Sequence, residues 1–246
     1  MFPKQTRQSD NLIWLFTILF LLVTTCSLAT QKEHPDQFQS ERLKMVDVHI
    51  ESRGITDKKT LAAMKKVPRH RFVAEAYGKH AYINEPLPIG YGQTISQPSL
   101  VAYMTEIIEP QENSRILEIG TGSGYQAAIL AQIVAEVFSI EIIPQLAQRT
   151  SSLLKELGYD NIWTKEGDGY YGWPQEAPYD AIIVTAAAPF IPPPLIEQLK
   201  SGGKMVIPVG SPFRVQHLML VEKNPTGDVT TKNLLPVRFV PLRRAQ

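Results

Sequence analysis

Residues 115–131 read RILEIGTGSGYQAAILA, and this stretch decides the fold. RILEI (115–119) is a short, apolar, β-rich run. GTGSG (120–124) cannot continue a strand, because glycine's freedom favours a sharp turn. The apolar residues Ala127, Ala128, Leu130, Ala131 and Val134 then follow as a helix. Strand, glycine turn and helix together form the opening of a βαβ unit.

The pattern repeats downstream. Val137 to Ile140 is a second strand ending in Glu141, and Pro144 opens a helix at its first turn. Asn161 to Thr164 and Asp180 to Val184 read as the third and fourth strands. A helix around Leu195 to Leu199, ending at Gly202-Gly203, precedes a fifth strand over Lys204 to Pro208. Strands alternating with helices imply an α/β, doubly wound, mostly parallel, Rossmann-like sheet with helices on both faces. Upstream, Leu43, Val46 and Ile50 mark a helix from Glu41 to near Gly54, and a second runs Asp57 to Lys66. These are N-terminal helical additions. Lys79 to Pro98 is rich in Gly, Pro, Asn and Tyr and reads as a long irregular, functional loop.

The 246 residues suffice for a sizeable core. Composition (43% hydrophobic, 20% charged) argues against a disordered chain or a multi-span membrane protein. A formal charge of +1 gives no basic field for nucleic acid. One cysteine, Cys26, excludes an intramolecular disulfide and a cysteine-rich zinc site. His34, His49, His70, His80 and His217 show no paired metal spacing, so no metal site is read.

The apolar residues are concentrated at one end. Leu12 to Val23 is LIWLFTILFLLV, preceded by Lys4 and Arg7 and followed by TTCSLAT. Residues 1–29 thus resemble a signal or anchor segment, with Ser27-Leu28-Ala29 as a processing site. Residues 30–40 are a polar linker, and 41–246 a single domain. The leader argues for export to the periplasm or an inner-membrane anchor, with membrane contact if it stays uncleaved. The alternative is a soluble chain starting at Met45.

In a doubly wound sheet, ligands bind beyond the carboxyl ends of the strands, where the strand order reverses. Gly120, Gly122 and Gly124 lie at the first such end. Glu141, 21 residues after Gly120, can accept from the cis-diol of a ribose. Tyr125 stands where the dinucleotide fingerprint G-x-G-x-x-G has its third glycine, which disfavours NAD. Glu118, two residues before the turn, suits a cationic ligand portion better than a pyrophosphate. S-adenosyl-L-methionine has that chemistry. Asp168, followed by Gly169 in the GDG turn, can accept from an adenine amine or serve as a plain turn former.

The segment RILEIGTGSGYQAAILA resembles the first motif of class I methyltransferases, and its GTGSGYQAA form resembles the protein-L-isoaspartate O-methyltransferases. RGITDKKTLAAMKKVPRHRF (53–72), GYGQTISQPSLVAYMTE (90–106) and YDAIIVTAAAPFIPPPLIEQLKSGGKMVIPVG (179–210) agree. The resemblance covers Glu41 to Leu242. It implies methyl transfer from S-adenosylmethionine to the free α-carboxylate of isoaspartyl residues in damaged proteins, with repair through a succinimide. That carboxylate is ionised at neutral pH, so alignment in a dry site replaces a general base. The family's active-site serine maps onto Ser96, as an orienting residue. Residue type alone would make Ser96 an N-cap for a helix from Pro98 to Ile108. Gln93, Thr94, Ile95 and Gln97 complete the loop over the methyl group, Gln93 and Thr94 toward the substrate, Ile95 and Gln97 toward the cofactor. The family is usually cytoplasmic, in tension with the leader, and a monomer is expected. The alternatives are a class I methyltransferase for a small molecule, an NAD oxidoreductase and a non-catalytic nucleoside-binding module. The basic tail PLRRAQ (241–246) has no assigned role.

Overall fold

The computed structural model describes Met1, residues 36–211 and residues 214–245. The chain divides into two units, Met1–Gln37 and Phe38–Gln246; the architecture below is that of the second. The leader pattern, from residue 2 onward, lies outside the described residues.

Helix α1 (Gln39–His49) begins two residues before the expected Glu41, and a short 3₁₀ turn (Glu51–Arg53) carries the chain to Gly54. Helix α2 (Lys58–Lys66) starts where Asp57 accepts from the Thr60 amide, the usual way a first-turn N–H is satisfied. Within the expected irregular stretch lies one antiparallel hairpin, β1 (Leu87–Gly90) with β2 (Gln93–Ile95). Helix α3 (Pro98–Ile107) follows.

The main sheet then forms from β3 (Arg115–Ile119), β4 (Glu136–Glu141), β5 (Ile162–Glu166), β6 (Tyr179–Val184), β7 (Leu199–Val209), β8 (Gln216–Lys223) and β9 (Val229–Val237). Its order is β5-β4-β3-β6-β7-β8-β9. The first five strands are parallel, and β8 and β9 extend the sheet antiparallel. Helices α4 (Tyr125–Ala131), α5 (Pro144–Glu156) and α6 (Pro193–Gln198) make the crossovers. The strand order reverses between β3 and β6, which run parallel, so the switch point opens at the GTGSG turn.

The sheet is buried on both faces, as parallel sheets are. Ile116, Val137, Ala181 and Val206 pack with Met45, Met64, Ile129 and Leu146 on one side. Leu117, Ile119, Phe138, Ile182 and Met205 pack with Leu195 on the other. Glu118 is the one charged residue of β3's buried run.

One expectation needs correction. Gly202-Gly203 do not end a helix: α6 stops at Gln198, and β7 has already begun at Leu199. The glycines fall in a register shift between the pairs Tyr179↔Leu199 and Ala181↔Lys204. A Cβ on Gly203 would stand 2.9 Å from the Asp180 and Lys200 carbonyl oxygens, so the close approach of backbones requires a glycine. Strands β8 and β9 extend the sheet beyond the five strands read from the sequence, and β9 is a largely exposed edge with little apolar alternation.

Candidate active site

The GTGSG turn is fastened on both sides. Gly120 N and Thr121 N donate to Ile140 O of β4 at 2.8 and 3.1 Å. Thr185, just past β6, donates from its hydroxyl to Gly120 O at 2.7 Å and from its amide to Ile119 O at 2.9 Å. Gly120 has φ +97°, and a Cβ there would sit 2.6 Å from Thr185 Oγ1. Only glycine satisfies both constraints. Gly124 serves α4 instead: it is the left-handed N-cap residue, packed on Thr150 and Leu154.

Behind the turn, Glu118 is completely buried. Ser139 donates to its Oε2, which leaves Thr121 to donate to the Ser139 hydroxyl at 2.6 Å. Glu118 Oε1 has no partner among the described residues. Burial pushes this carboxyl up to about 8, the Ser139 hydrogen bond and the nearby Ala127 amide opposing and the Glu141 charge adding to the rise. A buried carboxylate oxygen short of a donor is costly unless a ligand supplies one. A cationic amino group would satisfy it.

Glu141 is held at the end of β4. Gly122 N donates to its Oε2 at 2.8 Å and Ile143 N to its Oε1 at 2.9 Å. Each oxygen keeps a further acceptor site. The two amides fix the carboxylate's orientation at the cleft.

Of the expected site residues, Gln93, Thr94, Ile95, Ser96, Glu118, Gly120, Gly122, Glu141 and Gly169 line one cleft. Gln97, Gly124 and Asp168 do not. Gln97 lines a second, larger cavity of about 620 Å³. Asp168 is held at the edge of the site by the tail: Arg244 Nε donates to Oδ2 at 2.9 Å and Ala245 N at 3.1 Å. Its Oδ1 accepts from Tyr170 N at 3.0 Å. Burial raises the Asp168 carboxyl, but the bonds from Arg244 and the two amides outweigh it, and the group titrates below its usual value.

The tail is the feature that sequence reasoning missed. Ala187 N donates to Val240 O and Leu242 N to Ala187 O, each at 2.8 Å. Val240, Pro241, Leu242 and Arg243 wall the cleft, and Arg244 lies 3.7 Å over the Tyr170 ring. The only signal in the sequence was the pair of adjacent arginines.

Ser96 is not an N-cap. The N-cap of α3 is Gln97, with no side-chain capping bond, and Ser99 N is satisfied by Asn84 Oδ1 at 3.0 Å. The Ser96 side chain is half-buried. Ser96, Thr94, Thr185 and Val240 line both the cleft and the second cavity, so one wall separates the two. Among the described residues, no cluster of His, Cys, Asp or Glu could hold a metal ion.

Residues 40–246 match the family described as protein-L-isoaspartate(D-aspartate) O-methyltransferase. A protein-L-isoaspartate O-methyltransferase 1 of Nitrosospira multiformis is 56% identical over 209 residues, 84% of this chain and 89% of that one. One of Syntrophobacter fumaroxidans is 50% identical over 234 residues, covering 92% and 95%. A solved protein-L-isoaspartate O-methyltransferase superposes with a TM-score of 0.75 at 29% identity, over 82% of this chain and 65% of that one. A Plasmodium falciparum structure so described, in complex with S-adenosyl-L-homocysteine, gives 0.69 at 26% identity, over 84% and 98%. The chain belongs to the protein-L-isoaspartate O-methyltransferase family, which methylates isoaspartyl residues using S-adenosylmethionine.

Proposed function

We propose that the cleft holds the cofactor, that the second cavity holds the isoaspartyl polypeptide, and that the methyl group crosses the wall they share at Ser96. The observation that carries this reading is the wall itself: Thr94, Ser96, Thr185 and Val240 face both spaces. S-adenosylmethionine, when bound, supplies a methyl carbon on a sulfonium sulfur, and the S–CH₃ electron pair returns to sulfur as the O–CH₃ bond forms.

The remaining work falls to the chain. Glu118 Oε1 accepts from the ligand's amino group, and Glu141 accepts from its ribose. Asp168 and Gly169 border the adenine end. The Ser96 hydroxyl donates to one oxygen of the substrate α-carboxylate and so aims the other; Gln93, Thr94 and Ile95 exclude water around it. No proton must be removed, because the nucleophile is already an anion. Opposite charges meet and disappear in the transfer, which a dry site favours.

The test is radiolabelled methyl transfer to an isoaspartyl peptide and to its aspartyl twin, with wild type and Ser96→Ala. Base-labile label on the isoaspartyl peptide alone, with slow turnover but near-normal cofactor affinity in Ser96→Ala, is the expected result. Unchanged turnover would remove Ser96 from the mechanism.

One copy contains both cavities and their wall, which supports action as a monomer. Location depends on residues 1–29, whose pattern supports export or anchoring against the family's usual cytoplasmic setting. No helix among the described residues is long and apolar enough to cross a membrane. A start at Met45 is unfavourable, since Met45 is buried within α1. It would also remove Arg42, which donates to Lys65 O at 2.7 Å and Tyr82 OH at 3.3 Å. N-terminal sequencing of the native protein tests this.

A further inference from the structure

We infer that Arg53 and Arg238 select substrates, favouring isoaspartyl sites flanked by acidic residues; this rests on the second cavity being the polypeptide site. The cavity has an apolar floor that includes Ile55, Leu100, Tyr103, Leu235 and Phe239. Such a floor accepts many side chains and distinguishes few. Its charged lining consists of Arg53 and Arg238 alone.

The two come from opposite ends of the chain. Arg53 closes the 3₁₀ turn after α1, and Arg238 follows the last residue of β9. Both are exposed, and neither makes an ion pair among the described residues. The nearby acid Glu106 is committed elsewhere: its Oε1 accepts from Thr56 N and Asp57 N, both at 2.7 Å. An unneutralised guanidinium pair beside an apolar groove complements a polypeptide carrying carboxylates on either side of the damaged residue. The reacting carboxylate itself goes to the shared wall at Ser96, so the arginines act on flanking residues. They set affinity and leave the chemistry alone.

The experiment measures kcat/KM for isoaspartyl peptides of one length, with Glu, Gln or Lys placed two residues to either side of the isoaspartyl residue. For the wild-type chain at low salt, the Glu peptides should exceed their Gln counterparts by about fivefold, through KM, as expected for exposed charge pairs. The advantage should shrink severalfold at about 0.5 M salt. The double variant Arg53→Glu/Arg238→Glu should invert the ranking and prefer Lys peptides, whatever its absolute rate. Equal values for Glu and Gln peptides in the wild type, or an unaltered ranking in the double variant, overturns the inference while leaving the polypeptide reading intact. Failure to methylate even the Gln peptides overturns both.

Discussion

The cleft proposed for the cofactor and the cavity proposed for the polypeptide meet at Ser96 but are built by opposite means. The cleft is made of strand ends, backbone amides and buried carboxylates: Gly120 is pinned between β4 and β6, and Glu141 is fixed by two N–H groups. The second cavity is made of a 3₁₀ turn, a helix N-terminus and an edge strand, with exposed arginines at its rim. The difference follows the ligands. One molecule of fixed shape rewards rigid, preorganised donors and acceptors. Damaged polypeptides of any sequence require a permissive surface with a few steering charges.

That contrast can be broken at its rigid end first. Gly120→Ala forces a Cβ into Thr185 at a positive φ. Backbone strain of about 1–3 kcal/mol plus the steric clash should weaken cofactor binding by about 100-fold in calorimetry. Binding within threefold of wild type would mean the turn is not rigid. Next in size, Ser96→Ala should lower turnover by about 30-fold, the loss of the hydrogen bond to the non-reacting carboxylate oxygen that aims the other, with cofactor affinity kept within several-fold.

Glu118 gives a pH signature. Its carboxyl titrates at about 8 in the fold against 4.5 ordinarily. The folded cofactor-free chain therefore holds the extra proton between those values. Its stability should fall as pH rises from 4.5 toward 8 and level off above. Thermal melts of Glu118→Gln across that range should lose this slope. A cation beside Glu118 favours the ionised form, so cofactor affinity in the wild type should rise with pH through the same window. Glu118→Gln should cost about tenfold in affinity, the loss of a charge-assisted contact. Equal pH slopes in the two proteins would contradict the assignment. The smallest effect belongs to the tail. Arg244→Ala frees Asp168 from an ion pair that is exposed on the arginine side, and should change cofactor affinity by only about two- to threefold.

The same comparison explains what the sequence disclosed. The cleft was legible because it is local: Glu118, Gly120 and Gly122 share one βα turn, and Glu141 ends the next strand. The glycines, the acids and the period-switching hydrophobicity all carry local physical meaning. The hairpin β1–β2 was legible only as a turn-rich stretch, since its strands are four and three residues long. The second cavity assembles from residues 53, 55, 86, 185 and 215 and from parts of 94–103 and 235–240, and no local pattern encodes such distant pieces. Nor does residue type reveal that Asp168 answers Arg244, a contact spanning 76 positions. Ser96 shows the limit most clearly. Chemistry and spacing alone favoured a helix cap, whereas the structure puts the N-cap at Gln97 and Ser96 in the shared wall.

The central claim, transfer across one wall at Ser96, is tested most directly by a crystal structure of the full chain with S-adenosyl-L-homocysteine and an isoaspartyl peptide. The account predicts nucleoside density against Glu118 and Glu141 and peptide density in the second cavity, with the α-carboxylate within hydrogen-bond reach of Ser96 Oγ. Peptide bound elsewhere, or a carboxylate held away from Ser96, would contradict it.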